Sequence, residues 1–420
     1  MKIVIDALNY IASLGPMVMM PIIILVIGLI LRQKLSGLIR SALLVGIGFA
    51  GVNTTVNFFI SSVGPAIQKM VSIWGLRTDI MDVGWPARAA ATWSFPMAAI
   101  VVIVVLGVNI LMLTLKWTRC VMVDFWSYNH FIFTAALVWY TTKSPTLAVI
   151  SAIITAVVSF LLADWTAPLA ENYFGLPGVS FPTSNSVNWA PIAWFMDKVY
   201  DRIPGFRNLK ADPEFIQKRF GILGEPMLMG LIFGIIIGLL GHQPTNQVLT
   251  IGMSTAAAMV LIPKMMQILM EGLIPFADGI KDMLNRRFSG SNFTIGIDAA
   301  LTVANPSAIA VGILMVPTTL ILAMILPGNR LLPLPDIAYQ AMWLAAWPVA
   351  FSKGNIIRGW VTTVIITCLV LLGATDMAQI HTQLAIAGGF KIPHGLSLIS
   401  TEDAGTHLIS WIIWKIMSIF

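Results

Sequence analysis

The sequence predicts an all-α polytopic membrane protein with about 10–11 transmembrane helices, arranged as two inverted five-span repeats that each carry a re-entrant hairpin. Three observations carry that expectation. Only 10% of the 420 residues are charged while 57% are hydrophobic, whereas a soluble domain carries about 25% charged residues. Apolar runs close to the ~20 residues that cross a hydrocarbon core recur along the whole chain. Segments about half a chain apart also echo one another.

The runs fall at about 14–31, 41–63, 94–115, 121–142, 145–163, 226–241, 247–263, 307–327, 337–351 and 356–374, with a shorter one from Trp411 to Phe420. The first run has no basic stretch before it and no small-residue cleavage site after it, so it reads as a retained helix. Cys120 and Cys368 sit at or in spans, far apart, and read as small apolar fillers rather than a disulfide or metal pair. The net charge of +6 fits basic cytoplasmic loops better than nucleic acid as a partner.

Short loops rich in Lys and Arg stay in the cytoplasm. Arg32, Lys34 and Arg40 follow the first run, and Lys116 and Arg119 follow the third. The polar stretch from Lys198 to Arg219 holds the largest group. Threading the chain so that these clusters lie inside puts the N-terminus outside. Lys69, Arg77, Arg88, Lys143 and Arg330 then fall outside or near the outer interface. Residues 1–205 form a first repeat with a hairpin at 174–197, and 206–225 form a basic cytoplasmic linker. Residues 226–405 form a second repeat with a hairpin at 376–405, and 406–420 a short terminal helix.

The two hairpins are inferred from Gly and Pro breaks, since irregular backbone survives at membrane depth only where protein or water covers it. Ile67-Gln68-Lys69-Met70 before Asp82 matches Ile280-Lys281-Asp282-Met283 before Asp298, and the stretch from Asp124 to Lys143 resembles that from Asp336 to Lys353. An odd number of spans before the linker inverts the second half. Such inverted repeats hold a solute near the midplane between broken helices.

Ionisable groups inside spans are costly and so mark candidate sites. Asp82 precedes Gly84, Trp85 and Pro86, a turn able to offer a carboxylate and a stacking ring; an ordinary helix N-cap is the competing reading. Asp298, before the Asn305-Pro306 break, has the same two readings. His130, beside Asn129 within the fourth run, is a candidate hydrogen-bond partner or general base. Thr183, Ser184 and Asn185 crowd the first hairpin with neutral donors and acceptors, and His381 belongs to a smaller polar cluster in the second. Thr55 interrupts the second run and lines either the pathway or a helix contact. No Walker A loop, nucleophile elbow, HExxH or metal-spaced Cys pair is present, so no metal, no cofactor and no ATP hydrolysis by this chain are expected.

The strings DVGWP at 82–86, VDFWSYNHFIFTAAL at 123–137, GEPMLMG at 224–230, IGIDAAL at 295–301, LPGN at 326–329 and HTQLA at 381–385 together resemble the galactitol-type IIC components of the phosphoenolpyruvate-dependent phosphotransferase system, a group that includes ascorbate transporters. The resemblance runs from about Leu14 to Ala385. It implies a homodimer in the bacterial cytoplasmic membrane and two inverted five-span repeats. It also implies a pocket at Asp82–Pro86, His130, Thr183–Ser186 and Asp298. The partners it implies are cytosolic IIB and IIA components, with the phosphoryl group carried by a IIB phosphocysteine, and the basic linker is a candidate docking surface.

This chain has Thr183-Ser184 where the galactitol-type pattern has His-Gly, Asn305 where it has His, and Ser352-Lys353 where it has His-Arg. Those departures favour a related polyol or pentitol over galactitol itself. Relatives of this type also continue further beyond the last apolar run. The expected activity is vectorial phosphorylation of a polyol, the chain acting as the membrane subunit of a sugar phosphotransferase. Asp82, Asp298 or His130 would accept the hydroxyl proton. The alternatives are an ion-coupled carrier using Asp82 and Asp298, and a non-transporting membrane sensor.

Overall fold

A computed structural model describes residues 16–30, 33–74, 79–206, 226–287, 293–335, 337–388 and 398–419. The expected linker at 206–225, apart from Phe206, and residues 389–397 of the second broken segment lie outside them. The apolar runs fold as helices: α1 (Pro16–Ile30), α2 (Leu35–Trp74), α4 (Ala98–Thr114), α5 (Tyr128–Thr142), α6 (Pro145–Asn172), α9 (Pro226–Leu240), α10 (Thr245–Arg287), α11 (Pro306–Ile325), α12 (Ile337–Phe351), α13 (Ile356–Asp376) and α16 (Leu408–Met417). Between them lie α3 (Trp85–Trp93), α7 (Ser184–Val187), α8 (Ala190–Tyr200), a 3₁₀ turn (Ala299–Ala304), α14 (Ala378–Ala387) and α15 (Glu402–Gly405).

Pro145–Asn172, Pro306–Ile325 and Ile356–Asp376 are each long and apolar enough to cross a bilayer. So is the α3–α4 pair taken together, which bends by 89°. Pro96 stands in that break, where its missing N–H and fixed φ interrupt the helical ladder. α2 and α10 have 40 and 43 residues, about 60 Å of helix at 1.5 Å per residue, so each outruns a hydrocarbon core of about 30 Å. They pack along each other, with α1 on α2 and α9 on α10. At Gly272 a Cβ would come within 2.6 Å of the Ser41 carbonyl oxygen, so the two long helices touch backbone to backbone there.

The rest of the molecule is a second body of helices. α4, α5 and α6 pack on one another, and so do α11, α12 and α13. Every residue of α5 from Tyr128 to Val138 is buried. α6 meets it with Ala148, Ser151, Ala152, Thr155, Ala156, Ser159 and Ala163, a stripe of small residues at three- and four-residue spacing that lets two helices approach closely without a large apolar driving force.

The structure corrects the all-α expectation in one respect. Among the described residues, six strands of two or three residues form two parallel sheets, β5-β1-β6 and β2-β4-β3. In the first, β1 (Ile80–Asp82) pairs Ile80 with Leu331 of β5 (Leu331–Leu332) and with Leu398 of β6 (Leu398–Ser400). In the second, β4 (Thr294–Gly296) pairs Thr294 with Cys120 of β2 (Cys120–Met122) and Ile295 with Val179 of β3 (Val179–Ser180). Each sheet takes its middle strand from one half of the chain and its outer strands from the other. Strands this short leave no alternation to read in the sequence. They form because the broken segments must satisfy their backbone groups inside the protein.

Candidate functional site

The broken segments end in two short helices that meet. Thr183 stands at the N-cap of α7 and Thr401 at the N-cap of α15, and each helix has four residues. Their side chains bond across the gap at matching positions. Asn185 Nδ2 donates to Asp403 Oδ1 at 2.9 Å, and Asn188 Nδ2 donates to the Thr406 carbonyl at 2.9 Å. α15 is seated on α13, where a Cβ on Gly405 would collide with the Val370 carbonyl and Gly373 lies beneath it.

Asp403 is the hub of this contact. Arg88, 1% exposed at the start of α3, forms an ion pair with Asp403 Oδ2. Gln340 Nε2 of α12 donates to Oδ1 at 3.4 Å. The backbone carbonyl of Asp403 accepts from Thr406 Oγ1 at 2.6 Å and meets His407 Nδ1 at 2.8 Å, while His407 Nε2 lies 2.9 Å from His130 Nδ1. The Arg88 guanidinium also stands over the Phe133 ring at 5.2 Å. A buried charge requires a partner; Arg88 supplies it for Asp403, and the Asn185 and Gln340 amides add bonds to the same carboxylate. Threading by basic residues placed Arg88 at the outer interface; it is instead in the core, because α3 turns inward after Gly84.

Asp82 is held by both oxygens. Oδ1 accepts from Gly84 N at 2.8 Å, across a turn that Gly84 makes at φ 77°, and Oδ2 accepts from Glu402 N at 3.0 Å. It therefore ties β1 to the N-terminus of α15. Asp298 Oδ1 accepts from Ala300 N at 2.8 Å as the cap of the 3₁₀ turn. Asp298 is near the carboxylates of Asp124 and Asp403. Thr183 Oγ1 accepts from Ala299 N at 3.1 Å and lies 3.4 Å from Ser127 Oγ, which bonds to Asp124.

Several buried polar atoms at this centre have no hydrogen-bond partner among the described residues: Asn129 Oδ1, Ser184 Oγ, Asn185 Oδ1, Asn188 Oδ1 and Gln340 Oε1. Four of the five are amide oxygens, which accept from hydroxyl donors. Trp85, half-buried, lies 6.0 Å from Trp126 and 6.3 Å from the half-buried ring of Tyr339 between ring centres.

The expected site residues are thus distributed unevenly. Asp82, Trp85, Asn129, His130, Thr183, Ser184, Asn185 and Asp298 lie on the elements that converge here. His381 is fully buried on α14, with Arg88 and Asp403 as charged neighbours. Thr55 bonds back along its own helix to the Gly51 carbonyl at 2.8 Å. Asn305 caps α11 by accepting from Ser307 N and Ala308 N and takes a bond from Tyr173 Oη. Neither joins the network around Asp403. Sequence reasoning passed over Arg88, Gln340, Asp403 and His407 as site residues, while Asn188 belongs to the polar crowd it marked in the first broken segment. The signal for Arg88 was present: an arginine two residues beyond a Gly-Trp-Pro turn, next to a span, is a costly group that needs an internal partner.

This arrangement, polar side chains closed inside a set of apolar helices where two broken segments meet, defines an integral membrane protein with an interior polar centre. Residues 10–395 match the family described as PTS system sugar-specific permease component, EIIC-GAT, and the chain belongs to that family. It is 34% identical over 413 residues to the "PTS system galactitol-specific EIIC component" of Escherichia coli (strain K12), covering 98% of this chain and 91% of that one. It is 35% identical over 411 residues to the "Putative permease IIC component" of the same strain, covering 98% and 94%.

Proposed function

We propose that this chain is the membrane permease subunit that binds a polyol, galactitol or a related alditol, and carries it inward for phosphorylation by a IIB phosphocysteine, working as a homodimer in the bacterial cytoplasmic membrane. The observation that carries the reading is the set of amide oxygens on Asn129, Asn185, Asn188 and Gln340 without donors, gathered where the two hairpin tips meet. An uncharged solute rich in hydroxyls supplies such donors. Trp85 and Tyr339 offer apolar faces to its C–H edges. The names of the relatives point to the same solute class.

Two inverted repeats underlie the transport step in this reading. β1 opens at Ile80 and β4 at Thr294, β2 at Cys120 and β5 at Leu331, β3 at Val179 and β6 at Leu398; the spacing is near half the chain each time. Contacts between matching positions, Asn185 with Asp403 and Asn188 with Thr406, are what a two-fold relation produces at its axis. Alternating access then moves one body of helices against the other around a fixed site. Phosphorylation traps the product by giving it charge.

Uptake of radiolabelled polyols, galactitol and pentitols among them, into vesicles containing this protein tests the reading, with and without phosphorylated IIA and IIB. Label accumulating as a phosphate ester only with those subunits supports it. Free polyol accumulating without them, and escaping when the proton gradient collapses, overturns it in favour of an ion-coupled carrier.

A further inference from the structure

The His130–His407 contact has only one neutral arrangement of protons. His407 Nδ1 lies 2.8 Å from the Asp403 carbonyl oxygen. A carbonyl only accepts, so Nδ1 carries the hydrogen and Nε2 of that ring is an acceptor. His407 Nε2 lies 2.9 Å from His130 Nδ1, which must therefore donate. The fourth nitrogen, His130 Nε2, is left with a lone pair and no proton. No described residue bonds to it. His130 keeps 3% exposure, whereas His407 has none, so the open end of the chain of bonds is at His130. His407 is itself held in place, with its ring centre 4.8 Å from that of Phe133 and Thr406 Oγ1 3.4 Å from Nδ1. Asp403 and His407 lie beyond residues 10–395 that match the family.

We propose that His407 is a positioning residue that locks His130 in its Nδ1–H form, so that His130 Nε2 accepts the substrate hydroxyl proton and the two rings share it. This rests on the phosphotransferase reading. In the transfer, the substrate oxygen forms a bond to phosphorus and the sulfur–phosphorus bond of the donor phosphocysteine breaks. The bonding pair leaves with sulfur as thiolate. The hydroxyl proton goes to His130 Nε2, and the Nδ1 proton of His130 passes to His407 Nε2. The excess charge is thereby moved one ring further from the departing phosphate ester and toward Asp403. A second ring spreads the proton over two sites without moving either backbone, and Asp82 and Asp298 are each already engaged as caps by backbone N–H groups.

The test uses the full chain in vesicles with radiolabelled galactitol and phosphorylated galactitol-type IIB, together with ¹⁵N spectra of histidine-labelled protein. His407→Phe should bind galactitol within a few-fold of the parent but form the phosphate ester on the order of 100-fold more slowly at saturation, the low end of what a positioned base contributes. His407→Gln, whose amide oxygen accepts from His130 Nδ1–H, should recover most of the rate. In the parent spectrum His130 Nε2 should appear unprotonated, and in His407→Phe the two tautomers should mix. An unchanged rate at saturation in His407→Phe overturns the proposal. So does a His407→Gln variant as slow as His407→Phe, or a protonated Nε2 on neutral His130. If the parent itself forms no ester, the functional reading fails instead, and the spectra still decide the tautomer.

Discussion

Asn185 and Asp403 occupy the second position of two four-residue helices from opposite halves of the chain, and the amide of one donates to the carboxylate of the other at 2.9 Å. The same carboxylate carries the ion pair with Arg88 and a bond from Gln340. One aspartate therefore joins α7, α15, α3 and α12. The first prediction follows from that convergence.

Arg88→Met leaves Asp403 buried without its cation. Breaking one partner of a buried pair costs roughly 3–5 kcal/mol, so thermal unfolding of detergent-purified protein should begin at a clearly lower temperature. Arg88→Met with Asp403→Leu should recover much of that loss, because an apolar pair of similar volume carries no desolvation cost. Uptake should be lost in both, since the tip-to-tip contact needs the carboxylate. A double variant no more stable than the single one contradicts the argument.

Gly405 seats α15 on α13, where a Cβ on Gly373 would lie 3.6 Å from the Gly405 Cα. Gly405→Ala adds one methyl against the Val370 carbonyl, and overpacking of this kind costs about 1–3 kcal/mol or more. The expected result is a lower unfolding temperature and reduced uptake, with α15 displaced from Asn185. Gly107, around which a Cβ meets open space, is the control: Gly107→Ala should leave both measurements unchanged.

Trp85 tests the substrate side. Its ring is half-buried and faces Tyr339 at 6.3 Å. Trp85→Ala should weaken galactitol binding by about fivefold, the scale of an aromatic contact near 1 kcal/mol, while Trp85→Phe should lose less. Isothermal calorimetry of the purified protein reads both, and equal losses would remove the ring from the binding argument.

Asp79 and Arg330 form a paired contact on the surface, Arg330 Nε to Asp79 Oδ1 at 2.7 Å, with Arg330 Nη2 bonded to Asp79 Oδ2. The Arg330 hydrogen bonds hold the Asp79 carboxyl below its ordinary value. A lowered folded value means the stabilisation is complete above the unfolded value, about 3.9, and is lost as pH falls through the lower folded one. Asp79→Asn should therefore lower the unfolding temperature at neutral pH, and the difference from the parent should be smaller at about pH 2–3. Because both side chains are 43% exposed, the neutral-pH effect should be small and reduced by salt. An equal difference at both pH values would sever it from Asp79.

Much of the architecture was legible because membrane insertion writes itself into composition. The run at 145–163 became α6 and that at 356–374 became α13, since a span must be both apolar and helical. The breaks at 174–197 and 376–405 showed as Gly and Pro clusters, and the structure puts short strands and short helices there. Of the site, Asp82, His130, Thr183 and Asn185 stood out because polar groups are rare in such a chain. Thr55 and Asn305 stood out for the same reason, yet they bond locally to Gly51, Ser307 and Ala308. A polar residue that serves its own helix and one that faces a distant partner look alike in sequence.

The sequence by itself determined that the chain is a membrane protein and where most of its apolar helices lie, because these follow from local hydropathy and local backbone chemistry. Only the tertiary structure decided which polar groups meet. Arg88 and Asp403 are 315 residues apart, Asn185 and Asp403 are 218, and His130 and His407 are 277. Nothing in the hydropathy of either partner names the other. Their pairing is set by strands that cross between halves and by the cost of leaving a buried charge or ring nitrogen alone, a cost that exists only once the chain has closed around them.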